Sequence, residues 1–586
     1  MTPRQSGPTL FRRKRRRVLP AVVAVLLLGG TAGGAYLLLK DDDGNITDPK
    51  QHERLVAPQP MCDVPLRILE KVLDGYVPGR SGDVLAVEET TAQFNTRHSS
   101  PHPYTQDVPV VLYGPGYIRQ GVTPETEVTV ADLAPTYAEL LGYTAWSESR
   151  DGKVLEEALL PAARRNGTPK LIFTLVWDGG GDNVLEQWPD SWPHLKKLLK
   201  RSTSYPNATV GSTPSITPSI HATIGTGTFP ATHGIPDTRI RVKGEMLDAW
   251  EGTSPQRLRV KTLGDLWDAA NGNAPLVGMM ARDAWHLGMI GHGAYLPEGD
   301  NDLAAMDDFG GIEFRTNEKF YSLPDYLLGT EGLEEAVAEV DGRDGEADQR
   351  WLGNPILSYD AQVRYTPAWS IYQTQRLVQV LEAEGYGQDD VADLFYANYK
   401  AIDLAGHTWN MIEPEVKENV EESDRQLAAL IKELDRLVGK NEYVLALTAD
   451  HGMTPLPGSV KNWSINMREM SADIERKFDT TTPNIPLLLS NRGYQLMLNQ
   501  NELKRNSVSA EDVGKFLSDY RIEDNKTTNE IPDYFKGRED ERLFMFAATA
   551  AEVEQAIDCK KEAAAQSPRR NRLFATRHRN SGLPTR

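Results

Sequence analysis

Short runs of apolar residues recur along the chain and predict buried strands. These runs lie at residues 83–88, 108–114, 171–177, 394–399 and 443–449. Strands that are covered on both faces read as continuous apolar runs, as in parallel sheets that lie between layers of helices. The pattern therefore predicts an α/β fold with a mostly parallel central sheet flanked by helices.

Apolar residues at helical spacing separate several of these runs. Residues 132–143 and 415–438 predict helices, and the second has one apolar face. The residues of this face are Val420, Leu427, Leu430, Ile431, Leu434 and Leu437. Thr217 precedes Pro218, which predicts that a helix begins there with Thr217 as its N-cap. Residues 241–390 contain few long apolar runs, so we expect them to form an inserted cap region.

The N-terminal segment has the pattern of a membrane anchor. Residues 11–17 read FRRKRRR, and residues 18–39 contain no charged side chain. A run of this length spans a hydrocarbon core of about 30 Å, and the basic cluster keeps residues 1–17 in the cytoplasm. We therefore expect one transmembrane signal anchor, a linker at residues 40–60 and an extracytoplasmic remainder. A cleaved signal peptide is the alternative, although its apolar core is usually only about 7–15 residues long.

Charge and cysteine content bear on the partners and the compartment of the protein. The 586 residues carry a formal net charge of −19, which argues against binding of a nucleic-acid polymer, because such binding normally needs a basic face. Residues 561–586 are basic and predict a disordered tail. Cys62 and Cys559 are the two cysteines and form a candidate disulfide in an oxidising exterior. The sequence alone leaves open whether they meet.

Acidic residues and histidines follow three of the predicted strands. They are Asp178, the pair Asp450 and His451, and the motif Asp-x-x-Gly-His at Asp403 and His407. The carboxyl ends of parallel strands meet at one edge of a sheet, so side chains that follow them gather there. Carboxylates and imidazoles are typical ligands of divalent metal ions. The sequence therefore predicts a metal site at the carboxyl edge of the sheet.

Five motifs occur in a recognisable order along the chain. They are Asp178-Gly179, Thr217-Pro-Ser-x-His221, Phe229-Pro-x-x-His-Gly-Ile235, Asp403-x-x-Gly-His407 and Thr448-Ala-Asp-His-Gly452. Together they resemble the alkaline phosphatase superfamily, most closely its type I phosphodiesterase/nucleotide pyrophosphatase branch. The resemblance implies an alkaline-phosphatase-like fold and two divalent metal ions, zinc in this family, with a hydroxyl nucleophile between them.

The resemblance also implies roles for individual residues. The implied metal ligands are Asp178, Asp450, His451 and Thr217 for one ion, and Asp403 and His407 for the other. Thr217 would be the nucleophile, because a nearby cation lowers the pKa of a hydroxyl and a helix N-terminus favours a phosphate. Thr213 is the alternative nucleophile.

The second ion then lacks a ligand, which in this family comes from a histidine near the C-terminal end of the catalytic domain. Residues 98–116 and the predicted helix that follows them are similar to that C-terminal block of the family. We therefore infer a circular permutation in which His98 is the remaining ligand, with His102 as the alternative. A Cys62–Cys559 disulfide would reclose the severed connection. The catalytic domain would then comprise the permuted block at 61–165, the nucleophile-bearing core at 166–240 and the core with metal motifs at 391–560.

Two positions depart from the family at the substrate. Thr238 occupies the approximate place of an asparagine that binds a phosphate oxygen in pyrophosphatase members. Arg282, followed by Asp283 and Ala284, stands where phosphomonoesterase relatives have Lys-Asp-Arg. Arg282 can still bind an oxyanion, but the second cation is missing. This loss favours diesters over monoesters.

Four other histidines receive structural predictions. We expect His221 and His233 to be hydrogen-bonded core residues, because buried polar groups are normally paired. We expect His286 and His292 to lie on the surface of the cap region, with contact to the substrate as the alternative.

These observations predict a membrane-anchored, extracytoplasmic phosphoester hydrolase of the phosphodiesterase/nucleotide pyrophosphatase type. A phosphomonoesterase or a lipid head-group transferase would use the same site. A sulfatase of the superfamily uses a Cys or Ser matured to formylglycine, and no cysteine lies near Thr217. An inactive binding or scaffold protein of the cell envelope is the alternative from another class, and the full set of ligands argues against it.

Overall fold

An eight-stranded mixed sheet forms the centre of the molecule, and a second sheet has four strands. The computed structural model describes residues 39–40, 46–47, 60–147, 149–307, 311–356, 362–481, 485–526 and 531–565. The strands of the two sheets are β1 (Val84–Glu88), β2 (Val110–Tyr113), β3 (Leu171–Trp177), β4 (Thr203–Tyr205), β5 (Val277–Ala281), β6 (Leu303–Asp307), β7 (Phe314–Arg315), β8 (Asp393–Tyr399), β9 (Tyr443–Thr448), β10 (Leu488–Asn491), β11 (Gln495–Leu498) and β12 (Phe544–Ala548).

Helices longer than four residues accompany these strands. They are α1 (Leu66–Asp74), α2 (Leu133–Leu141), α3 (Asp182–Gln187), α4 (Pro193–Leu199), α5 (Thr217–Thr226), α6 (Leu263–Ala270), α7 (Leu333–Asp341), α8 (Pro367–Glu384), α9 (Ala401–Trp409), α10 (Pro414–Leu434), α11 (Met467–Phe478), α12 (Gln500–Asn506), α13 (Ala510–Ser518) and α14 (Ala550–Ala565).

The central sheet has the strand order β7-β6-β5-β8-β3-β9-β2-β4. Five neighbouring strands are parallel to one another, namely β6, β5, β8, β3 and β9. At the two edges of the sheet, β7, β2 and β4 pair antiparallel with their neighbours. The predicted α/β class is confirmed, and the antiparallel edges make the sheet mixed.

Alternate residues of β3 pack against two different layers of helices. Ile172 and Val176 share a buried cluster with α2 and α5, whereas Phe173 and Leu175 share one with α8 and α10. Successive side chains of a strand point to opposite faces, so an apolar run without alternation needs cover on both. All residues of β3, β8 and β9 are accordingly buried.

The N-terminal block of the domain is joined to the C-terminal part by strands and by a disulfide. The second sheet has the order β10-β11-β1-β12 and is antiparallel, so β1 lies between two strands from the end of the chain. In the central sheet β2 pairs with β9. Cys62 and Cys559 form the predicted disulfide, with Cα atoms 5.9 Å apart. Next to it, Leu69 and Val72 of α1 share a buried cluster with Val553 of α14.

The prediction of a separate cap at residues 241–390 is wrong in part. β5, β6 and β7 lie within this range and belong to the central sheet. Their sequences, such as Val-Gly-Met-Met-Ala in β5, are short and rich in small residues, so they do not read as long apolar runs. The cap is therefore limited to the connections between these strands and α8.

The two ends of the chain lie mostly outside the described residues. This applies to the predicted anchor at 18–39 except Leu39, which begins a two-residue strand, Leu39–Lys40. Within the described ranges no helix combines the length and the apolar character that a bilayer-spanning segment needs. The predicted tail at 561–586 begins later than expected, because α14 continues to Ala565.

Candidate active site

Three neighbouring parallel strands deliver the acidic residues of the site. Asp178 directly follows β3, Asp450 lies two residues after β9, and Asp403 lies in the first turn of α9, which follows β8. Because β8, β3 and β9 are adjacent in the sheet, their carboxyl ends bring these carboxylates together. All three side chains are buried. The structure thus places them at the edge of the sheet where the sequence predicts a metal site.

The first cluster comprises Asp178, Asp450 and His451. The His451 Nε2 atom lies 3.2 Å from Asp450 Oδ2 and 3.6 Å from Asp178 Oδ1. One ligand atom from each residue lies within 4.8 Å of the other two. Asp450 Oδ1 accepts a hydrogen bond of 3.1 Å from the Gly179 backbone N–H, which leaves Oδ2 facing the histidine.

The second cluster comprises His98, Asp403 and His407. The Nε2 atoms of His98 and His407 lie 3.6 Å and 3.2 Å from Asp403 Oδ1. The imidazole of His98 stacks on that of His451, with ring centroids 3.4 Å apart, so the two clusters are in contact. The structure therefore brings His98, from the N-terminal block, to the residues that the resemblance pairs it with.

The three histidines of these clusters are oriented as metal ligands are. The Nδ1 atoms of His98, His407 and His451 face hydrogen-bond partners, respectively Ser215 O at 2.7 Å, Thr96 Oγ1 at 3.2 Å and Gly452 O at 3.0 Å. A partner at one ring nitrogen fixes the orientation of the ring and leaves the other nitrogen for a metal. Each Nε2 atom faces a carboxylate of its own cluster.

Buried polar atoms without partners also fit bound cations. Within the described part of the chain, Asp403 Oδ1, Asp450 Oδ2 and His451 Nε2 are buried and have no hydrogen-bond partner. Leaving such atoms unpaired is costly, so a group that binds them would stabilise the site. Carboxylate oxygens and imidazole nitrogens are ligands that zinc accepts. The residues present therefore fit divalent metal ions in both clusters.

Thr217 is the first residue of α5 and lies beside the clusters. The predicted N-cap role is wrong, because the extended residue Ile216 occupies the cap position. Thr217 Oγ1 instead accepts a hydrogen bond of 2.9 Å from the Lys400 ammonium group. The alternative nucleophile, Thr213, donates from its hydroxyl to the Ser99 carbonyl at 3.3 Å.

Lys400 is a site residue that the sequence interpretation missed. It directly follows β8, and its Nζ atom lies 2.6 Å from Asp178 Oδ1 and 2.9 Å from Asp403 Oδ2. Burial raises the pKa of Asp178, but the Lys400 ammonium, together with His286 and His451, outweighs burial and holds that pKa well below its usual range. Burial would lower the pKa of Lys400, but the carboxylates of Asp178 and Asp403 outweigh it and raise the pKa. A lysine directly after a predicted buried strand was the signal available in the sequence.

His286 forms a third group with Asp178. Its Nε2 atom lies 3.5 Å from Asp178 Oδ2, and its Nδ1 atom lies 3.3 Å from Asp283 Oδ1. Burial lowers the pKa of His286, but hydrogen bonds to the two acids outweigh burial and raise it to about 9. The predicted surface position of His286 and His292 is wrong, because both are buried. His286 packs against Asp178 of the site, and His292 packs against Asp265 of α6.

The core role predicted for His221 and His233 is confirmed. The His221 Nδ1 atom lies 2.8 Å from a carbonyl oxygen of α5, and the His233 Nε2 atom lies 3.2 Å from Thr223 Oγ1. His102, the alternative ligand, does not join the second cluster. Its Nε2 atom lies 2.9 Å from the Glu88 carbonyl oxygen.

A cavity of about 480 Å³ opens beside Thr217 and the second cluster. Its lining includes Thr238 and Arg282, the predicted substrate-binding residues, together with Arg97 and Arg492, which the sequence interpretation missed. Arg492 Nη2 donates a hydrogen bond to Thr238 Oγ1. Burial lowers the pKa of Arg97, and the nearby Arg492 lowers it further. The cavity lining thus holds four basic side chains, those of Arg97, Arg282, Lys400 and Arg492, beside the three acids Asp237, Asp283 and Asp403.

Comparisons with known proteins show which proteins this chain is similar to. The family model described as type I phosphodiesterase/nucleotide pyrophosphatase matches residues 172–566. Alkaline phosphatase PafA of Elizabethkingia meningoseptica is 23% identical over 427 residues, which cover 62% of this chain and 76% of that protein. Alkaline phosphatase PhoV of Synechococcus elongatus is 24% identical over 380 residues, which cover 56% and 67%. A crystal structure of wild-type PafA aligns with a TM-score of 0.48 and 18% identity, covering 65% of this chain and 84% of that one.

Proposed function

Since the chain belongs to the type I phosphodiesterase/nucleotide pyrophosphatase family and is a phosphoester hydrolase, we propose that Thr217 is its nucleophile and that the two clusters hold two divalent metal ions, zinc in this family. The observation that carries the proposal is the 2.9 Å contact between Thr217 Oγ1 and Lys400 Nζ. The same ammonium group contacts Asp178 of the first cluster and Asp403 of the second. One small group therefore links the candidate nucleophile to both clusters.

The side chains of the two clusters would hold the metal ions, with the Thr217 hydroxyl next to the first cluster. When bound, a pair of metal ions stabilises negative charge on the attacking and leaving oxygens of an in-line displacement. Thr217 Oγ1 would attack phosphorus and displace the leaving alcohol, which forms a phosphothreonine. Water would then attack this phosphorus and restore the hydroxyl. Backbone N–H groups at the start of α5 favour the phosphoryl oxygens, and Arg282 would donate charge-assisted hydrogen bonds to them.

Phosphomonoesters are the second candidate class of substrate. Ala284 stands in place of a family arginine, which favours diesters. Arg97 and Arg492 nevertheless line the cavity, and their guanidinium groups would offset the second negative charge of a terminal phosphate. The names of the two relatives, both alkaline phosphatases, point in the same direction. A lipid head-group transferase would use the same nucleophile with an alcohol in place of water.

The test is the rate of p-nitrophenolate release from bis-p-nitrophenyl phosphate and from p-nitrophenyl phosphate, with and without a chelator. Thr217→Ala is expected to lose at least about a thousandfold in turnover of both esters. Thr217→Ser keeps a hydroxyl and should retain measurable turnover, and Thr126→Ala serves as an exposed control.

Full activity of Thr217→Ala would overturn the proposed nucleophile. Wild-type protein loaded with zinc that hydrolyses neither ester, with Thr217→Ala indistinguishable from it, would favour the envelope scaffold. The ratio of the two wild-type rates decides between diesters and monoesters.

Membrane anchoring with an extracytoplasmic catalytic domain is also part of the proposal. It is supported by the uncharged residues 18–39 after the basic cluster at 11–17, and by a disulfide that suits an oxidising compartment. We expect the full chain to remain with membranes after extraction at alkaline pH, and a chain that begins at residue 60 to be released. A full chain found in the soluble fraction, shortened at its N-terminus, would instead identify a cleaved signal peptide.

A further inference from the structure

The Lys400 ammonium group occupies the space between the two clusters. Lys400 is buried, and the Nζ atom contacts Asp178 Oδ1 at 2.6 Å, Asp403 Oδ2 at 2.9 Å and Thr217 Oγ1 at 2.9 Å. These three contacts use the three N–H donors of an ammonium group. Lys400 is therefore fully engaged within the site and is not a lysine that reaches out to solvent.

These contacts leave the two clusters unequal. Asp178 has both oxygens engaged, since Oδ2 accepts a hydrogen bond of 3.0 Å from Asn398 Nδ2. The first cluster then offers two free ligand atoms, Asp450 Oδ2 and His451 Nε2. The second cluster keeps three, because the oxygen of Asp403 that Lys400 contacts is Oδ2 and its Oδ1 atom faces both histidines.

The net charge of the site also favours one metal ion over two. Asp178, Asp403 and Asp450 bring three negative charges, and Lys400 offsets one of them. His286, which also faces Asp178, is paired with its own acid, Asp283. One divalent ion would neutralise the remainder, whereas a second would leave a surplus of two positive charges beside a buried ammonium group. Repulsion between like charges is strong at such distances in a buried site.

We propose that Lys400 is a built-in cation of the site, so that the second cluster binds a divalent ion tightly and the first cluster binds one weakly. The inference rests on the proposed function and deepens it. Lys400 contacts the reacting oxygen, so its ammonium group would stabilise negative charge on Thr217 Oγ1 and is a catalytic residue in this reaction. It thereby takes over part of the task that a metal ion in the first cluster would otherwise perform.

Zinc titration of the metal-free full chain by calorimetry, with bound zinc counted after dialysis, tests the proposal. Wild type is expected to bind one equivalent tightly and a second at least about tenfold more weakly. Lys400→Met should tighten the second equivalent at least about tenfold, because it frees Asp178 Oδ1 and removes a like charge. Lys400→Arg keeps the charge and should resemble wild type in its second equivalent. Lys417→Met, which removes a half-exposed lysine paired with Glu421, is the matched control.

Two equally tight equivalents in wild type, or an unchanged second affinity in Lys400→Met, would overturn the proposal. The wild-type titration decides the matter even if circular dichroism shows that Lys400→Met is unfolded. Turnover gives a second readout, since Lys400→Met should lose activity at one equivalent of zinc and regain part of it with excess zinc. If equal affinities are found while Thr217→Ala is still inactive, only the role of Lys400 fails, whereas a wild type that binds no zinc overturns the proposed function as well.

Discussion

Glu88 carries a carboxyl group into the interior at the end of β1. Its side chain is buried, and its Oε2 atom has no hydrogen-bond partner among the residues that the structure describes. Burial raises the pKa of Glu88 from 4.5 to about 7, against hydrogen bonds that lower it. A carboxyl group in such surroundings is held in its neutral form at mildly acidic pH.

Because its pKa is raised in the folded protein, Glu88 makes the free energy of unfolding fall as pH rises. Below about pH 4.5 Glu88 is protonated in both the folded and the unfolded chain, so its contribution to stability is fully present. As pH rises towards 7, only the unfolded chain ionises, and stability falls until the folded pKa is passed. Glu88→Gln cannot ionise, so its free energy of unfolding should exceed that of wild type by up to about 3 kcal/mol at pH 8.5 and match it at pH 4.5.

Urea unfolding at the two pH values measures this difference. Glu334→Gln, at an exposed position of α7, is the control and should match wild type at both. A Glu88→Gln protein that is less stable than wild type at pH 8.5 would show that the carboxylate is stabilised by partners instead.

At the scale of elements, the sequence predicts the strands that carry the site more reliably than those beside it. β3 is predicted to the residue, and β8 and β9 to within one residue, because apolar residues dominate each of them. β6 reads Leu-Ala-Ala-Met-Asp, and a short segment with small residues is not recognisable as a strand unless its neighbours in the sheet are known. Pairing with β5 and β7, which is not visible in a local pattern, makes it an interior strand of the central sheet.

The residues of the site are likewise predicted where a local pattern reveals them and missed where they depend on other elements. Ligands that directly follow apolar runs, such as Asp178 and Asp450, could be placed from the sequence because strand ends converge at one edge. Lys400 also follows such a run, but lysine is normally solvated, and its burial depends on two carboxylates from other elements. His286 was missed because the segment that carries it follows β5, a strand that the pattern does not reveal.

At the scale of the whole molecule, the N-terminal block completes structures that begin near the other end of the chain. β2 pairs with β9, β1 lies between β11 and β12, and His98 joins Asp403 and His407. These contacts join residues near the two ends of the chain, as the circular permutation that we propose from the motifs requires.

A chain in which the N-terminal block is moved to the C-terminus tests whether the domain folds with either order of its two parts. It would begin at residue 168, run to residue 565, and continue through a Gly/Ser linker into residues 60–167. Residues 161–168 are largely exposed, so we expect the new ends to be tolerated and the melting temperature to stay within about 5 °C of the parent. A cut inside β3 is the control and should prevent folding. A relinked chain that is unfolded, with its disulfide unformed, would contradict the inferred permutation.

The Cys62–Cys559 bond also determines how the molecule would bear a mechanical load. A pull exerted through the N-terminal segment and the C-terminal tail enters and leaves the domain at two Cα atoms only 5.9 Å apart. The tension would pass from sulfur to sulfur, and the chain between the two cysteines, which are 497 positions apart in sequence, would bear no load. Both sheets, and the candidate active site, would thereby carry none of this tension.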